Sequence, residues 1–541
     1  MATGNKNALL SVFNKEGITE FAKALVKHDY TIYASGGTAR HLSEAGVIVQ
    51  DVAKTIGGGA ILDHRVVTIS REIAGGLLAD KEKHIAELEE LGFPFLDLVC
   101  CDLYPLEDAI NDESSTEDDI VAKIDVGGPT MISSGAKGER IVVCSHEDRP
   151  SVIEWLENDK PEEKSFLRQL RAKAFWTISK YRGLAAEYFS DGAYKGIFGE
   201  LHTQLKYGEN PQQKEAGFYV TDKNDPWGLH QFNKVDSEGG TGFVNLTDSG
   251  RLVNAYRDIK RGLRANTALA ANAQTVALGG KHGNPCGGSI SATPKDAIEK
   301  MIMGDSRALF GGSVLVDAFI DEELATVLLK TGTDRKNYFN VIIAKGFSDE
   351  AKEMLKLKKR ACHLFELAAI ENVDDQLDYP EPKRIVQVPG GFLLQDPNMF
   401  VLDFNADETE AHGDVTDQHK LDMLLAWAVM KNSNSNTICL VKEGQLIGNG
   451  VGQQDRVSAA ELAIKKAKDA GHDTAGAVAG SDSFFPFPDG PEALIAAGVV
   501  GIFSTSGSMR DSETVEVCDK NNVSLVFVSD KVGRSFAGHS C

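Results

Sequence analysis

The chain has 541 residues, of which 42% are hydrophobic and 25% charged, with a mean hydropathy of −0.21. These values exclude disordered and fibrous proteins and predict two or more globular domains. The formal net charge of −22 repels nucleic-acid phosphates and anionic lipids. No stretch of the sequence approaches the about 20 consecutive apolar residues of a membrane-spanning helix. The first residues, MATGNKNALL, lack the long apolar region of a signal peptide. We expect a cytoplasmic protein that binds neither nucleic acid nor membrane.

The first segment alternates short apolar runs with helical periodicity, which predicts a parallel sheet covered by crossover helices. Ile18, Phe21, Ala22, Leu25 and Val26 follow the spacing of one helix face. A helical stretch over 163–189 comes next, and the glycine-interrupted segment GAYKGIFGE marks a domain boundary, with the second domain beginning near 198. The predicted strands are 8–13, 31–34, 95–101 and 140–145.

The second domain, 198–541, has the pattern of a mixed α/β structure. Strands are predicted at 340–344, 437–441, 499–503 and 524–528, with helices at 349–358, 416–430 and 457–470. The proline-bearing stretch at 378–391 is compatible with a division into two lobes and with a long surface loop.

Three turns of the first domain have the composition of anion-binding loops. Ser35-Gly36-Gly37-Thr38 lies between a predicted strand and a predicted helix, where backbone N–H groups and the helix dipole favour an anion. Ser11 ends an earlier strand and Lys15 opens the next helix, while 125–130 reads Asp-Val-Gly-Gly-Pro-Thr. Each turn alone is equally compatible with a glycine cap that holds no ligand. Three in one α/β domain favour a phosphorylated ligand.

These turns belong to motifs that resemble a known family. SVFNKEG, ASGGTAR, HRVVT, CDLYP and IDVGGPTMISSGAK are similar to the IMP cyclohydrolase domain of the bifunctional purine biosynthesis enzymes, AICAR formyltransferase/IMP cyclohydrolase, whose fold is methylglyoxal-synthase-like. The resemblance implies that Tyr104, Asp125 and Lys137 assist ring closure. It implies that the nucleotide is held by Ser11, Asn14, Lys15, Ser35, Gly36, Gly37, Thr38, Arg65, Thr68, Asp102 and Gly127.

The first domain departs from the family pattern at two places. Val67 stands where the family has lysine, and Ile69-Ser70-Arg71 stands where it has Leu-His-Pro. Asp102 replaces an asparagine and would add negative charge near the ligand. Either cyclohydrolase activity is weakened, or Arg71 replaces the absent lysine.

The second domain contains Lys281-His282-Gly283-Asn284-Pro285-Cys286 after an apolar run, which places the Lys-His pair at a strand end or tight turn. A cation beside an imidazole favours its neutral form, which a proton acceptor near pH 7 requires. Taken alone, a loop histidine is more often structural. The motif KYGENPQQ occurs earlier in the chain, and FGG, NVIIAKGF, SN, GQQDR, SDSFFPFPDG and SGS follow later.

Together these motifs resemble the formyltransferase half of the same family, a region of two cytidine-deaminase-like lobes. The resemblance implies that His282 accepts the proton of the substrate amine, that Lys281 steadies the formyl oxygen and that Asn436 orients the reacting groups. It implies a 10-formyltetrahydrofolate co-substrate near Val457, Asp489, Ser508 and Met509, and substrate contacts from Lys206, Tyr207, Phe310, Gly311, Asn340, Arg456, Phe484 and Arg534.

Departures here concern affinity more than reaction type. Lys206 replaces an arginine, so that a bidentate phosphate contact becomes a point charge, and Asn340 replaces an acid. The C-terminal motif containing Arg534 is shifted by two residues.

Three other functions are weighed against a bifunctional enzyme. The first domain could be a nucleotide-binding or dimer-supporting module beside an active formyltransferase, or the chain could be a nucleotide sensor without turnover. A zinc deaminase lacks its His-x-Glu and its second cysteine in this sequence. We therefore expect no metal, and from the resemblance we expect a homodimer.

Overall fold

The structure is a computed structural model that describes residues 6–55, 59–62, 66–235, 240–333, 336–356 and 362–538. Contacts divide the chain into two compact units, Met1–Phe198 and Gly199–Cys541. This division falls one residue from the boundary expected from the glycine-interrupted segment. No helix in the described ranges is long and apolar enough to cross a membrane.

Unit 1 alternates strands and helices, as the apolar runs predict. Its helix α10 has the bounds expected from the sequence. Strand β2 begins one residue earlier than predicted, β1 is shifted towards the N-terminus, and β4 and β5 are shorter than predicted. The elements are β1 (Lys6–Leu10), α1 (Ile18–Lys27), β2 (Tyr30–Ala34), α2 (Gly36–Glu44), β3 (Val49–Asp51), α3 (Val52–Thr55), α4 (Arg71–Leu78), α5 (Ile85–Leu91), β4 (Leu98–Cys100), α6 (Leu106–Asn111), α7 (Glu117–Ala122), α8 (Gly127–Lys137), β5 (Ile141–Val143), α9 (Arg149–Glu157) and α10 (Glu163–Phe189).

The five strands of unit 1 form one parallel sheet in the order β3-β2-β1-β4-β5. Helix α1 buries Ile18, Phe21, Ala22 and Leu25 against it, as predicted, but Val26 is 49% exposed. The prediction for Val26 is wrong because position i+8 lies at the edge of the apolar stripe. From β1 the chain adds β2 and β3 on one side of the sheet and then β4 and β5 on the other side. Because the order of the strands reverses between β1 and β4, a crevice forms at the carboxyl ends of these two strands.

Unit 2 is larger and contains both parallel and antiparallel strands. Its elements are β6 (Glu200–Gln204), β7 (Gly217–Val220), β8 (Asn233–Lys234), α11 (Phe243–Ala265), β9 (Thr275–Lys281), β10 (Asn284–Ser291), α12 (Pro294–Gly304), α13 (Ser306–Leu309), β11 (Ser313–Ile320), α14 (Glu322–Lys330), β12 (Val341–Phe347), α15 (Asp349–Leu355), β13 (His363–Glu366), α16 (Ala368–Glu371), α17 (Val373–Gln376), β14 (Arg384–Val388), β15 (Gly391–Gln395), β16 (Thr409–His412), α18 (Asp417–Lys431), β17 (Ile438–Lys442), β18 (Gln445–Gly450), α19 (Arg456–Asp469), β19 (Val478–Ser481), α20 (Asp489–Ala496), β20 (Gly501–Ser506), α21 (Asp511–Lys520), β21 (Ser524–Ser529) and α22 (Asp530–Gly533).

Twelve of these strands form a single sheet in which one arrangement occurs twice. The order is β16-β21-β20-β19-β17-β18-β10-β9-β11-β12-β13-β8. In each half an edge strand and a long helix precede an antiparallel hairpin, and three parallel strands linked by helices follow. The hairpins β9–β10 and β17–β18 meet at the centre, where Ser289 pairs with Gln445. The two lobes compatible with the sequence are therefore two halves of one continuous sheet.

The long helices α11 and α18 share the main core beneath the central hairpins. Helix α18 buries every residue from Leu421 to Met430, all of them apolar except Asp422, so this part of the helix lies in the interior. The hairpin β14–β15, by contrast, exposes Ile385, Phe392, Leu393 and Leu394. It begins within the proline-bearing stretch and lies between the two halves in sequence. The α/β class predicted for both parts of the chain is confirmed.

Candidate active sites

The crevice of unit 1 brings together the loops that follow β1 and β2. The hydroxyl oxygens of Ser11 and Ser35 lie 2.8 Å apart. The Thr38 hydroxyl donates to the carbonyl of Val12 and accepts from its N–H, both at 3.1 Å, so it ties the two loops together. Gly36 has φ of +46°, a conformation that glycine adopts without strain.

The loop after β1 also carries the cation predicted to face the phosphate. The Lys15 ammonium donates to the carbonyl oxygens of Val12 and Phe13, and burial lowers the pKa of Lys15. Asn14 and Gly37 complete the set that the fold gathers at this crevice, next to the N-terminus of α2. The two loops are therefore held side by side, and the phosphate site remains a prediction.

Asp102 lies two residues after the end of β4 and pairs with Arg149, which the sequence motifs did not include. Its carboxylate accepts the backbone N–H groups of Phe13 and Asn14, and its second oxygen lies 2.8 Å from a guanidinium nitrogen of Arg149. Arg149 also donates to the carbonyl oxygens of Asn14 and Glu16. The charge expected from Asp102 is thus offset by a buried cation, and both groups hold the loop.

Replacing Arg149 with methionine is expected to leave the Asp102 carboxylate buried and unpaired. The side chains are 2% and 13% exposed, and breaking such a pair costs about 3–5 kcal/mol of unfolding free energy. Chemical denaturation measures this loss. The double variant Arg149→Met with Asp102→Asn should recover most of it, because the amide carries no charge. A double variant no more stable than Arg149→Met would contradict this assignment.

Tyr104 and Asp125 lie on the other side of the same crevice. The rings of Phe13 and Tyr104 meet edge to face with centroids 5.7 Å apart. Asp125 accepts the N–H of Gly128 at 2.8 Å at the start of α8, and burial raises its pKa. Burial also raises the pKa of Tyr104, with the negative charge of Asp125 adding to the effect.

The backbone of Gly127 closely approaches Thr68, since a Cβ there would lie 2.8 Å from the Thr68 hydroxyl oxygen. Thr68 is thereby placed beside the start of α8. Lys137 is the last residue of the same helix and is exposed. Ten residues of helical rise put it about 15 Å from that start, so one chain does not bring Lys137 together with Asp125.

A cavity of about 300 Å³ lies next to Thr68, where the sequence departs from the family pattern. Arg71 lines this cavity and opens α4, which is capped by the Ser70 hydroxyl, while its guanidinium lies 6.0 Å from the Phe93 ring centroid. A cation therefore stands near Thr68 although Val67 carries none. Arg65 lies outside the described residues.

In unit 2, the Lys281–His282 pair occupies the tight turn between β9 and β10. Lys281 pairs with Asn284 across a two-residue loop in which His282 has φ of +55° and Gly283 φ of +72°. This is the type I′ geometry of hairpins. A non-glycine residue in this conformation costs about 1–2 kcal/mol. His282 is exposed and Lys281 half-buried, with its ammonium 2.8 Å from the Phe310 carbonyl oxygen.

Asn284 connects this turn to the loop that carries Asn436. Its side-chain oxygen accepts the N–H of Asn434 at 2.9 Å, and its amide donates to the His282 carbonyl at 3.0 Å. Asn436 in turn donates to the Gln453 carbonyl at 3.0 Å. The turn and the 434–436 loop are thereby fixed to each other.

Phe310, Gly311 and Asn340 lie on the Lys281 side of this arrangement. The rings of Phe310 and Tyr338 have centroids 5.8 Å apart, and Phe310 is 48% exposed. Gly311 donates to the Tyr338 carbonyl at 2.7 Å with φ of +75°, and the Asn340 N–H donates to the Gly312 carbonyl at 2.8 Å. These residues thus lie together, just before the first residues of the neighbouring strands β11 and β12.

Two arginines predicted to contact substrate are engaged by carboxylates. Arg456 lies 2.9 Å from Asp482, which is fully buried and whose pKa is raised by that burial. Arg534 pairs with Asp530. Both guanidinium groups also lie over the Phe536 ring, at 5.8 and 5.2 Å from its centroid. The sequence motifs named neither carboxylate: Asp482 is 26 residues from Arg456, and Asp530 is 4 residues from Arg534.

The residues predicted to contact folate lie at the carboxyl ends of β19 and β20 and at nearby helix starts. A Cβ added at Gly507 would lie 3.8 Å from the Phe484 ring, so Phe484 lies near the loop of Gly507 and Ser508. Met509 is fully exposed and Phe487 is 52% exposed, with the Arg510 guanidinium 4.9 Å from its ring centroid. Val457 and Asp489 lie in the first turns of α19 and α20.

Lys206 and Tyr207 lie in the loop between β6 and β7, with the ammonium 5.7 Å from the ring centroid. No described hydrogen bond joins them to the Lys281 turn. Among the residues that the structure describes, no group of three or more His, Cys, Asp or Glu side chains is placed to hold a metal ion.

Comparison with known proteins agrees with both sets of motifs. A family model described as "AICARFT/IMPCHase bienzyme" matches residues 137–466, and one described as "MGS-like domain" matches 17–130. The chain belongs to the AICARFT/IMPCHase bienzyme family. The methylglyoxal-synthase-like fold expected for the first part is confirmed by the second match.

Curated relatives extend the similarity over nearly the whole chain. Three are named "Bifunctional purine biosynthesis protein PurH". Those of Halalkalibacterium halodurans and Staphylococcus carnosus are each 33% identical, covering 96% of this chain and 98% of the relative. That of Thermoanaerobacter sp. is 34% identical with the same coverage. Because the similarity includes both parts of the chain, the alternative of a formyltransferase with an inert first domain is not favoured.

Proposed function

We propose that this chain transfers a formyl group from 10-formyltetrahydrofolate to the 5-amino group of AICAR and then closes the product to IMP with loss of water. Transfer is assigned to residues 198–541 and ring closure to 1–197. The observation that carries the first assignment is the turn that presents Lys281 and His282 and is bonded through Asn284 to the loop of Asn436.

In the transfer reaction, the amine of AICAR is a weak nucleophile because its lone pair is conjugated with the ring and the carboxamide. His282 accepts the amine proton as the new bond forms, and the Lys281 ammonium faces the oxygen on which negative charge develops. Asn436 offers an amide to orient the reacting groups. The folate supplies the formyl carbon: as the amine nitrogen bonds to this carbon, the bond between the carbon and the folate nitrogen breaks, and tetrahydrofolate leaves with the proton that His282 has accepted. The exposed apolar surface of Met509 and the nearby Phe484 suit a flat heterocycle at the ends of β19 and β20.

The remaining predicted contacts in unit 2 are divided between the nucleotide and the folate. Phe310, Gly311 and Asn340 are proposed to face the nucleotide beside Lys281, and Lys206 and Tyr207 to approach it from the β6–β7 loop. Arg456 and Arg534, held by Asp482 and Asp530, are proposed to present their guanidinium edges rather than to swing freely. Val457, Asp489 and Ser508 are proposed to surround the folate.

In ring closure, the carboxamide nitrogen attacks the formyl carbon of the same molecule, so the main contribution is to hold the two groups together. Ser11, Lys15 and the Ser35–Thr38 turn are proposed to fix the phosphate, while Tyr104 and Asp125 move protons at the ring. Arg71 is proposed to supply the cation that Val67 lacks. Lys137 is left out of this arrangement within one chain because of its distance from Asp125.

We also propose that the protein is a cytoplasmic homodimer that takes only small-molecule substrates. The exposed apolar side chains of β14–β15 support a protein partner, because contiguous exposed apolar groups are usually covered in an assembly. Sedimentation of the purified chain measures the mass directly.

Product analysis tests the two activities together. The purified chain is mixed with AICAR and 10-formyltetrahydrofolate, and the products are separated by chromatography. We expect IMP. Accumulation of the formylated nucleotide alone would assign only the transfer reaction, and the absence of any product would reject the proposed function.

A further inference from the structure

We infer that Asp248 is a positioning residue for formyl transfer, because it holds the turn that carries His282. Asp248 lies on α11 and is 3% exposed. Its carboxylate accepts the N–H of Gly283 at 2.6 Å. This inference rests on the proposed function, since it assigns to Asp248 a part in the reaction at His282.

The second half of the sheet contains the same contact in the equivalent place. Asp422 is the sixth residue of α18, as Asp248 is of α11. It accepts the N–H groups of Glu443 and Gly444 at 3.0 and 2.6 Å, in the turn between β17 and β18. Glu443 and Gly444 have φ of +50° and +73°, close to the values in the first turn.

The sequences of the two turns are also parallel, Lys-His-Gly-Asn at 281–284 and Lys-Glu-Gly-Gln at 442–445. In a two-residue turn the loop N–H groups have no partner in the hairpin, so a buried carboxylate that accepts them fixes the left-handed conformation. The direction of the side chain at the first loop position is then fixed as well. In the first half that side chain is the imidazole of His282.

The two turns differ in what surrounds them. Asn436 is two residues before the start of β17, whereas Glu443 follows its end, so the length of the strand separates the second turn from the proposed transfer residues. The first turn is bonded through Asn284 to the 434–436 loop. The aspartate contact is therefore a feature of the fold in both halves, and only at Asp248 does it orient a reacting group.

The repeat provides a matched control within the chain. Asp248→Ala and Asp422→Ala each remove a buried carboxylate, 3% and 2% exposed, from the same position of equivalent helices. We expect Asp248→Ala to lower kcat for formyl transfer by about 100-fold, the size typical of a misplaced reacting group, with little change in the KM for AICAR. Asp422→Ala should leave kcat unchanged although thermal stability falls in both variants. Ring closure of the formylated nucleotide should be unaffected in both.

Asp248→Asn provides a second test if the alanine variant does not fold. Its side-chain oxygen still accepts one N–H, so kcat should lie between those of the wild type and Asp248→Ala. Equal losses of kcat in Asp248→Ala and Asp422→Ala, or no loss in either Asp248 variant, would overturn the inference.

Hydrogen exchange of the unligated protein separates this inference from the proposed function. Amide exchange at 281–284 should be at least 10-fold faster in Asp248→Ala than in the wild type, and exchange at 442–445 should be unchanged. If the wild type forms no product but exchange changes in this way, the proposed function fails while the control of the turn by Asp248 stands. Unchanged exchange at 281–284 rejects the role of Asp248, whatever the activity.

Discussion

Replacing His282 with asparagine is expected to lower formyl transfer by about 10²–10⁴-fold, the contribution typical of a positioned proton acceptor. Asparagine is chosen because His282 has φ of +55°, a conformation that asparagine tolerates better than most residues. The turn should therefore survive while the imidazole is lost. The release of tetrahydrofolate, followed by absorbance with AICAR as acceptor, measures the rate.

His282→Gly is the control for the turn, because glycine adopts this conformation freely and also lacks the imidazole. Both variants should be equally inactive in transfer and should close the ring of the formylated nucleotide at the wild-type rate. Wild-type transfer by His282→Asn would remove the proton acceptor from the mechanism.

Replacing Asp125 with asparagine is expected to lower ring closure by a similar factor, about 10²–10⁴-fold, without affecting transfer. The amide oxygen still accepts the Gly128 N–H, which Asp125 binds at 2.8 Å, so α8 keeps its start. An amide, however, neither takes nor gives the proton that ring closure moves. The formylated nucleotide should accumulate when AICAR and the folate are supplied together, and chromatography measures its ratio to IMP.

Asp119→Asn is the matched control for Asp125. Asp119 caps α7 in the same unit, where its carboxylate accepts the N–H and hydroxyl of Thr116, and it is exposed. This variant should form IMP at the wild-type rate. If it loses ring closure to the same degree as Asp125→Asn, the effect belongs to the stability of the unit and Asp125 has no special part.

The pKa shifts in unit 1 have a consequence for stability at different pH. Burial raises the pKa of Asp125 above that of the unfolded chain, so the folded state binds more protons between the two values. The contribution of this group to stability is therefore greatest at low pH and declines as pH rises through the folded pKa. The raised pKa also favours a carboxyl that exchanges protons during ring closure.

The sequence by itself determined the fold class and the family. Apolar residues that recur once per helical turn indicate a helix with one buried face. Helices α10, α18 and α19 accordingly lie within one residue of their predicted bounds. The Ser-Gly-Gly-Thr turn and the Lys-His pair are contiguous motifs that can be recognised in the sequence, and their function is implied only together with the other motifs of the family. The match to the bienzyme family follows from such motifs.

Only the tertiary structure decided which groups meet. Arg149 is 47 residues from Asp102, Asp248 is 35 residues from Gly283, and Asn284 is 150 residues from Asn434. No local pattern encodes these contacts, because each depends on the order of strands in a sheet. The same holds for the distance between Asp125 and Lys137 and for the internal repeat of unit 2. Local periodicity specifies elements, whereas the packing of those elements specifies the partners of each side chain.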